Sequence, residues 1–157
     1  MMMEIVTGAD TKILRTVCKP VEKFDKDLVK LVAEMEETML HEDPETGLIG
    51  VGIAANQVGI DQRVFLITLN VGTKKAGKTL AMINPGIIAL SDEKITMEEG
   101  CLSLPKTFGT VSRPQKVVMK WQNVAGNWCE KKFDGWDARI ILHEYDHLQG
   151  IMFTDYK

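Results

Sequence analysis

The chain has 157 residues with 45% hydrophobic content, enough to bury a core without staples, and its 19 basic and 22 acidic side chains give a formal charge of −3, which disfavours a general binder of DNA or RNA. Three scattered cysteines are too few for a disulfide framework and suit a reducing compartment. The start Met1 to Gly8 lacks a basic, apolar leader, and no apolar run is long enough to span a bilayer, so a cytoplasmic protein without membrane attachment is expected.

No repeat or linker divides the sequence, and 1–157 reads as one domain. After an irregular start through Leu14-Arg15 and Cys18-Lys19-Pro20, Leu28, Leu31, Val32, Met35 and Met39 recur at helical spacing. This predicts an N-terminal helix with a core-facing stripe, capped by Asp25 and stopped by Pro44. The run Gly47 to Gly59 is small and apolar. A strand is expected over Gln62 to Asn70, then a turn-rich loop to Lys78 holding Lys74 and Lys75. Short strands at Leu80–Ile83 and Gly86–Leu90 are separated by the turn pair Asn84-Pro85. Lys116 to Gln122 and Trp128 to Lys132 flank Asn123 to Asn127 as a hairpin. A helix is predicted over Asp137 to Gln149, closed by Gly150, with Ile151 to Phe153 as a short strand. The order implies an α+β fold, with antiparallel or mixed β-sheets packed around the late helix.

That helix carries His143-Glu144-Tyr145-Asp146-His147, the pattern H-E-x-x-H, which uses two of the three histidines in the chain. Side chains four apart on a helix point the same way, so both imidazoles can reach one ion, with Glu144 placed to handle a proton of water. Trp136 and Ile140 share the histidine face and suggest that it looks inward. A third ligand is needed. Downstream of His147 there is no Glu and no His, so it must come from upstream, which is unusual for an endopeptidase of this pattern. Cys18 and Cys129 read as small packing residues, and His41 as solvent-facing. Cys101, directly after Gly100 in Glu98-Glu99-Gly100-Cys101-Leu102-Ser103, is the best candidate. Such a set leaves a coordination position open, as hydrolytic sites require.

Three segments occur in order: Gly50-Val51-Gly52-Ile53-Ala54-Ala55-Asn56-Gln57, Glu99-Gly100-Cys101-Leu102-Ser103, and His143-Glu144-Tyr145-Asp146-His147-Leu148-Gln149-Gly150. Together they closely resemble the three signature motifs of peptide deformylase, and the likeness runs from Leu14-Arg15 and Pro20-Val21 to Phe153. The resemblance implies removal of the N-formyl group from the initiator methionine of new polypeptides, with release of formate. It makes Cys101, His143 and His147 the metal ligands and Glu144 the acid/base. It turns the Gln57 amide and the Leu102 backbone N–H toward the developing oxyanion. Gly50, Val51 and Gly52 fall at substrate-binding positions, with Val51, Trp136 and Ile140 beside the methionine pocket. Arg113 matches an arginine held against Glu99, a pair that supports the ligands. The implied ion is ferrous iron, with zinc, nickel or cobalt able to replace it, and the implied partners are N-formylmethionyl peptides and nascent chains.

The likeness has two departures. Leu142 stands where the family usually has Gln, and the bacterial members' C-terminal extension is expected to be lacking, as in members encoded by some marine bacteriophages or in a natural bacterial truncation. A monomeric catalytic domain that binds ribosomes weakly is expected. The competing readings are a small H-E-x-x-H zinc peptidase, which would need no formyl group, and a closed, non-catalytic metal module.

Overall fold

The computed structural model describes residues 2–71 and 77–156. Its first helix, α1 (Lys26–Leu40), begins where the Asp25 carboxylate accepts hydrogen bonds from the N–H groups of Asp27 and Leu28, at 3.1 and 3.2 Å. It buries Leu28, Met35 and Met39 against Ile53, Val64, Leu66 and Ile83, so the predicted stripe is a core face.

Seven strands follow: β1 (Gly52–Ala54), β2 (Val64–Leu69), β3 (Lys78–Leu90), β4 (Lys94–Cys101), β5 (Leu104–Pro114), β6 (Lys116–Gln122) and β7 (Trp128–Asp134). They form a five-stranded sheet in the order β1-β2-β3-β6-β7 and a separate β4-β5 hairpin, and every pairing is antiparallel. The second helix, α2 (Gly135–Leu148), packs on the larger sheet. Its Ala138, Ile141, Leu142 and Leu148 meet Phe65, Ile67, Met82, Met119, Trp121 and Phe133 in one core. Burial of each large apolar side chain contributes about 1.5–3 kcal/mol, which holds the helix at a fixed height over the sheet. The α+β expectation stands. Among the described residues no helix is long and apolar enough to cross a membrane.

Three local expectations are corrected. Asn84-Pro85 does not separate two strands, because β3 runs through it with a register shift between Ile83 and Gly86. Asn84 takes φ +50° there, donates to Val21 O at 2.9 Å and accepts from Val21 N–H at 2.7 Å, so the irregularity is a braced bulge. Residues 151–153 do not form a strand. Phe153–Asp155 is a 3-10 turn in which the Asp155 carboxylate accepts from the Met152 N–H at 3.0 Å. Helix α2 starts at Gly135, two residues before the expected Asp137. Lys74 and Lys75 lie outside the described residues.

Gly150 closes α2 at φ +75°, and a Cβ there would stand 2.5 Å from the Arg15 carbonyl oxygen. Only glycine allows this close approach of the N-terminal segment, where Cys18 N–H also donates to Leu148 O at 2.8 Å.

Candidate metal centre and active site

The last turns of α2 and the end of β4 converge on one point. Ligand atoms of Cys101, His143 and His147 all lie within 4.8 Å of one another, and Cys101 Sγ is 3.3 Å from His147 Nε2. Both imidazoles are buried, and their rings meet edge to face at 5.0 Å. Phe153 stacks on His143 at 6.0 Å. Cys18 is buried in the core beneath the large sheet, Cys129 is half-buried beside it, and His41 is exposed. Elimination from the sequence therefore selected the cysteine that the fold brings to the histidines.

Glu99, also on β4, orients the first histidine. Its carboxylate accepts from His143 Nδ1–H at 2.8 Å, which leaves Nε2 for a ligand. Arg113 on β5 donates to both carboxylate oxygens, at 2.6 and 2.9 Å, and to Asp146 at 2.9 Å. Burial alone would raise the Glu99 carboxyl, but the His143 and Arg113 hydrogen bonds outweigh it and hold it down to about 2. His143 shows the converse. Burial opposes its charge, yet the Cys101 and Glu99 contacts push it up to about 10. Burial and the neighbouring His143 charge hold His147 well below its ordinary value. A thiol and two buried imidazoles whose ligand atoms converge on one point are the donor set of a divalent-cation site, and these residues fit one.

Glu144 lies beside this set, 4% exposed, with Oε2 at 3.9 Å from His143 Nε2 and Oε1 without a hydrogen-bond partner among the described residues. Burial pushes its carboxyl up to about 7, against the pull of His143. A carboxyl near neutrality can both take and return a proton, as general acid–base catalysis demands. Gly52 in β1 makes room for it, since a Cβ on Gly52 would fall 2.6 Å from Glu144 Oε2. Gly52→Ala is therefore expected to displace the carboxylate and lower turnover about 10²-fold, with near-normal melting temperature and metal content. Wild-type turnover in this variant would show that the carboxylate has slack.

Gln57 sits in the 3-10 turn Ala55–Val58, 1% exposed. Its Oε1 accepts from the Ala54 N–H at 2.9 Å, which turns Nε2 toward Ser103 Oγ at 3.0 Å and Cys101 Sγ at 3.4 Å. Leu102 follows the cysteine, and a Cβ on Gly50 would meet its Cδ1 at 2.9 Å, so the first two motifs touch. Asn56 Nδ2 donates to His147 O at 2.5 Å and joins the first motif to the third.

Of the residues expected beside the methionine pocket, Ile140 is buried in the main core, while Val51 and Trp136 are 40% and 47% exposed. The histidine face thus turns inward only from Ile140 onward, because Trp136 lies at the first turn of α2, beyond the sheet's cover. Sequence reasoning missed Ser103, Asn56, Asp146 and Arg139. A signal for Arg139 was present, as a charged side chain one turn before His143 in an otherwise apolar stretch.

The polypeptide deformylase family model matches residues 2–157. The chain belongs to the peptide deformylase family. A peptide deformylase of Thermotoga maritima is 41% identical over 143 residues, covering 91% of this chain and 80% of the relative. Among solved structures, a probable peptide deformylase from synechococcus phage S-SSM7 superposes with a TM-score of 0.87 at 37% identity, over 99% of both chains. A Met-Ala-Ser-bound class I type b peptide deformylase from Acinetobacter baumannii gives 0.87 at 35% identity, over 100% of this chain and 99% of that one. Peptide deformylases are metal-dependent hydrolases that remove the N-formyl group from nascent polypeptides, and the small zinc peptidase reading gives way to this one.

Proposed function

We propose that Cys101, His143 and His147 hold a divalent ion, ferrous in the cell, and that Glu144, Gln57 and Leu102 carry out deformylation around it. The observation that carries this reading is the convergence of the three ligand atoms within 4.8 Å, with Glu144 beside His143 and Gln57 beside Cys101. When bound, the ion supplies Lewis acidity, which makes water a competent nucleophile near neutral pH. Zinc, nickel or cobalt suits the same donors. Glu144 takes the proton of the attacking water and returns it to the leaving amine, so that formate and a free N-terminus result. Gln57 Nε2–H and Leu102 N–H meet the negative charge that develops on the formyl oxygen, and each such donor typically contributes about 2.7–4 kcal/mol. Glu99 and Arg113 keep His143 in the tautomer that presents Nε2.

The substrate methionine lies against Val51, Trp136 and Ile140, with Gly50 and Gly52 admitting its backbone. Large apolar groups left exposed at Val51 and Trp136 are in keeping with an open pocket wall. The chain acts as a monomeric catalytic domain in the cytoplasm. The net charge of −3 and three free thiols support that setting.

One substrate series tests the reading. Formyl-Met-Ala-Ser is expected to release formate with no peptide-bond cleavage. The norleucine peptide should follow closely, and formyl-Asp-Ala-Ser should lose at least about 10-fold in kcat/KM, because an apolar wall cannot pair a buried charge. Equal values for the last two would contradict the pocket, and cleavage of the Met-Ala bond would contradict the reaction.

A further inference from the structure

We infer that Arg139 is a positioning residue for the metal ligands, fastening the β4–β5 hairpin that carries Cys101 to the helix that carries His143 and His147. This inference rests on the metal-centre reading above and extends it to a residue outside the three motifs.

The ligand set is divided between two bodies. The hairpin pairs only with itself among the described strands, so no ladder of sheet hydrogen bonds sets the distance from Cys101 to α2. Arg139 bridges that gap. It is 3% exposed, and Nη2 donates to Ile95 O on β4 at 2.6 Å, while Nη1 donates to Val111 O on β5 at 3.1 Å and to the Glu99 carboxylate. One guanidinium from the helix thus grips both strands and the carboxylate that orients His143. Arg113 does a different job, since it stands on the hairpin itself and reaches α2 through Asp146 alone. Arg139 and His143 are four residues apart, which stacks them on one helix face and lets both meet Glu99.

A purely electrostatic role makes the opposite prediction. Arg139 is a buried positive charge near a cation site, so on Coulomb grounds its removal would tighten metal binding. A positioning role predicts that its removal loosens the metal. Lysine separates the two further, because it keeps the charge but lacks the planar fork.

The test measures metal release from zinc-loaded full-length protein to a chromogenic chelator, together with the thiolate charge-transfer band of the cobalt-loaded protein. Arg139→Lys is expected to release zinc at least about 10-fold faster, as loss of a ligand's supporting partner typically costs 10–100-fold in metal affinity, and to shift the cobalt band. Arg139→Met should also release zinc faster. Met35→Ala, a core truncation in α1, should lower the melting temperature and leave both readouts unchanged. Wild-type release by Arg139→Lys, slower release by Arg139→Met, or failure of both variants to fold would overturn the inference and leave the metal-centre reading intact. A wild-type chain that takes up no zinc or cobalt would instead overturn the metal-centre reading, and this inference with it.

Discussion

Glu144→Gln is expected to lower formate release from formyl-Met-Ala-Ser by at least about 10²-fold, the lower range for loss of a general acid–base group, while metal content stays near that of the wild type. The two effects separate because Glu144 lies beside the ligand cluster without belonging to it, its Oε2 at 3.9 Å from His143 Nε2. The amide keeps the shape of the side chain against Gly52, so a loss of rate reports lost proton transfer and not a new cavity. KM should change little, since the carboxylate acts on water and the leaving amine. Near-normal turnover in this variant would sink the assignment of the base.

Cys101→Ala is expected to yield protein that holds no stoichiometric metal after gel filtration, and hence no activity. Cys18→Ala and Cys129→Ala should keep the metal. The loss should exceed the roughly 10–100-fold in affinity that removal of a ligand's supporting partner costs, because here a ligand itself is gone. Cys18→Ala should show its cost in stability instead, about 1 kcal/mol, typical of a small change in a packed core. Its thiol is pushed up to about 11 by burial, which also makes it slow to alkylate at neutral pH. Metal analysis of the three proteins decides the matter, and retention of metal by Cys101→Ala would refute the ligand set.

The parts of this site that were legible in the sequence are those written in local spacing. His143 and His147 stand one helical turn apart, Asp25 precedes the stripe of α1, and Gly150 ends α2 with a positive φ. Cys101 could be singled out because the alternatives failed, not because spacing pointed to it. What sequence could not supply was pairing across distance. The β4–β5 hairpin buries little beyond Glu99, Val111 and Arg113, so its strands carry no clean apolar alternation to betray them. The bulge at Asn84 read as a turn because asparagine before proline has the same local chemistry in both settings, and only the Val21 contacts across the fold distinguish them. Trp136 misled by helical phase, which is sound for a helix covered along its whole length. The sheet covers α2 only from Ala138 onward.

Leu142 illustrates the remaining gap. It stands where the family usually has glutamine, and here it is buried in the main core, 6% exposed, beside the cavity of about 430 Å³ that Arg113, Asp146 and Tyr156 also line. Packing accounts for a leucine at that place, and Cys101, His143 and His147 converge without an amide there.

Deformylation is proposed to depend on one metal ion held by Cys101, His143 and His147. Formate release from formyl-Met-Ala-Ser before chelation, after chelation, and after titration with ferrous iron under anaerobic conditions decides whether it does. Activity is expected to be lost on chelation and to recover with saturation at one equivalent of metal per chain. Undiminished formate release from metal-free protein would contradict that dependence.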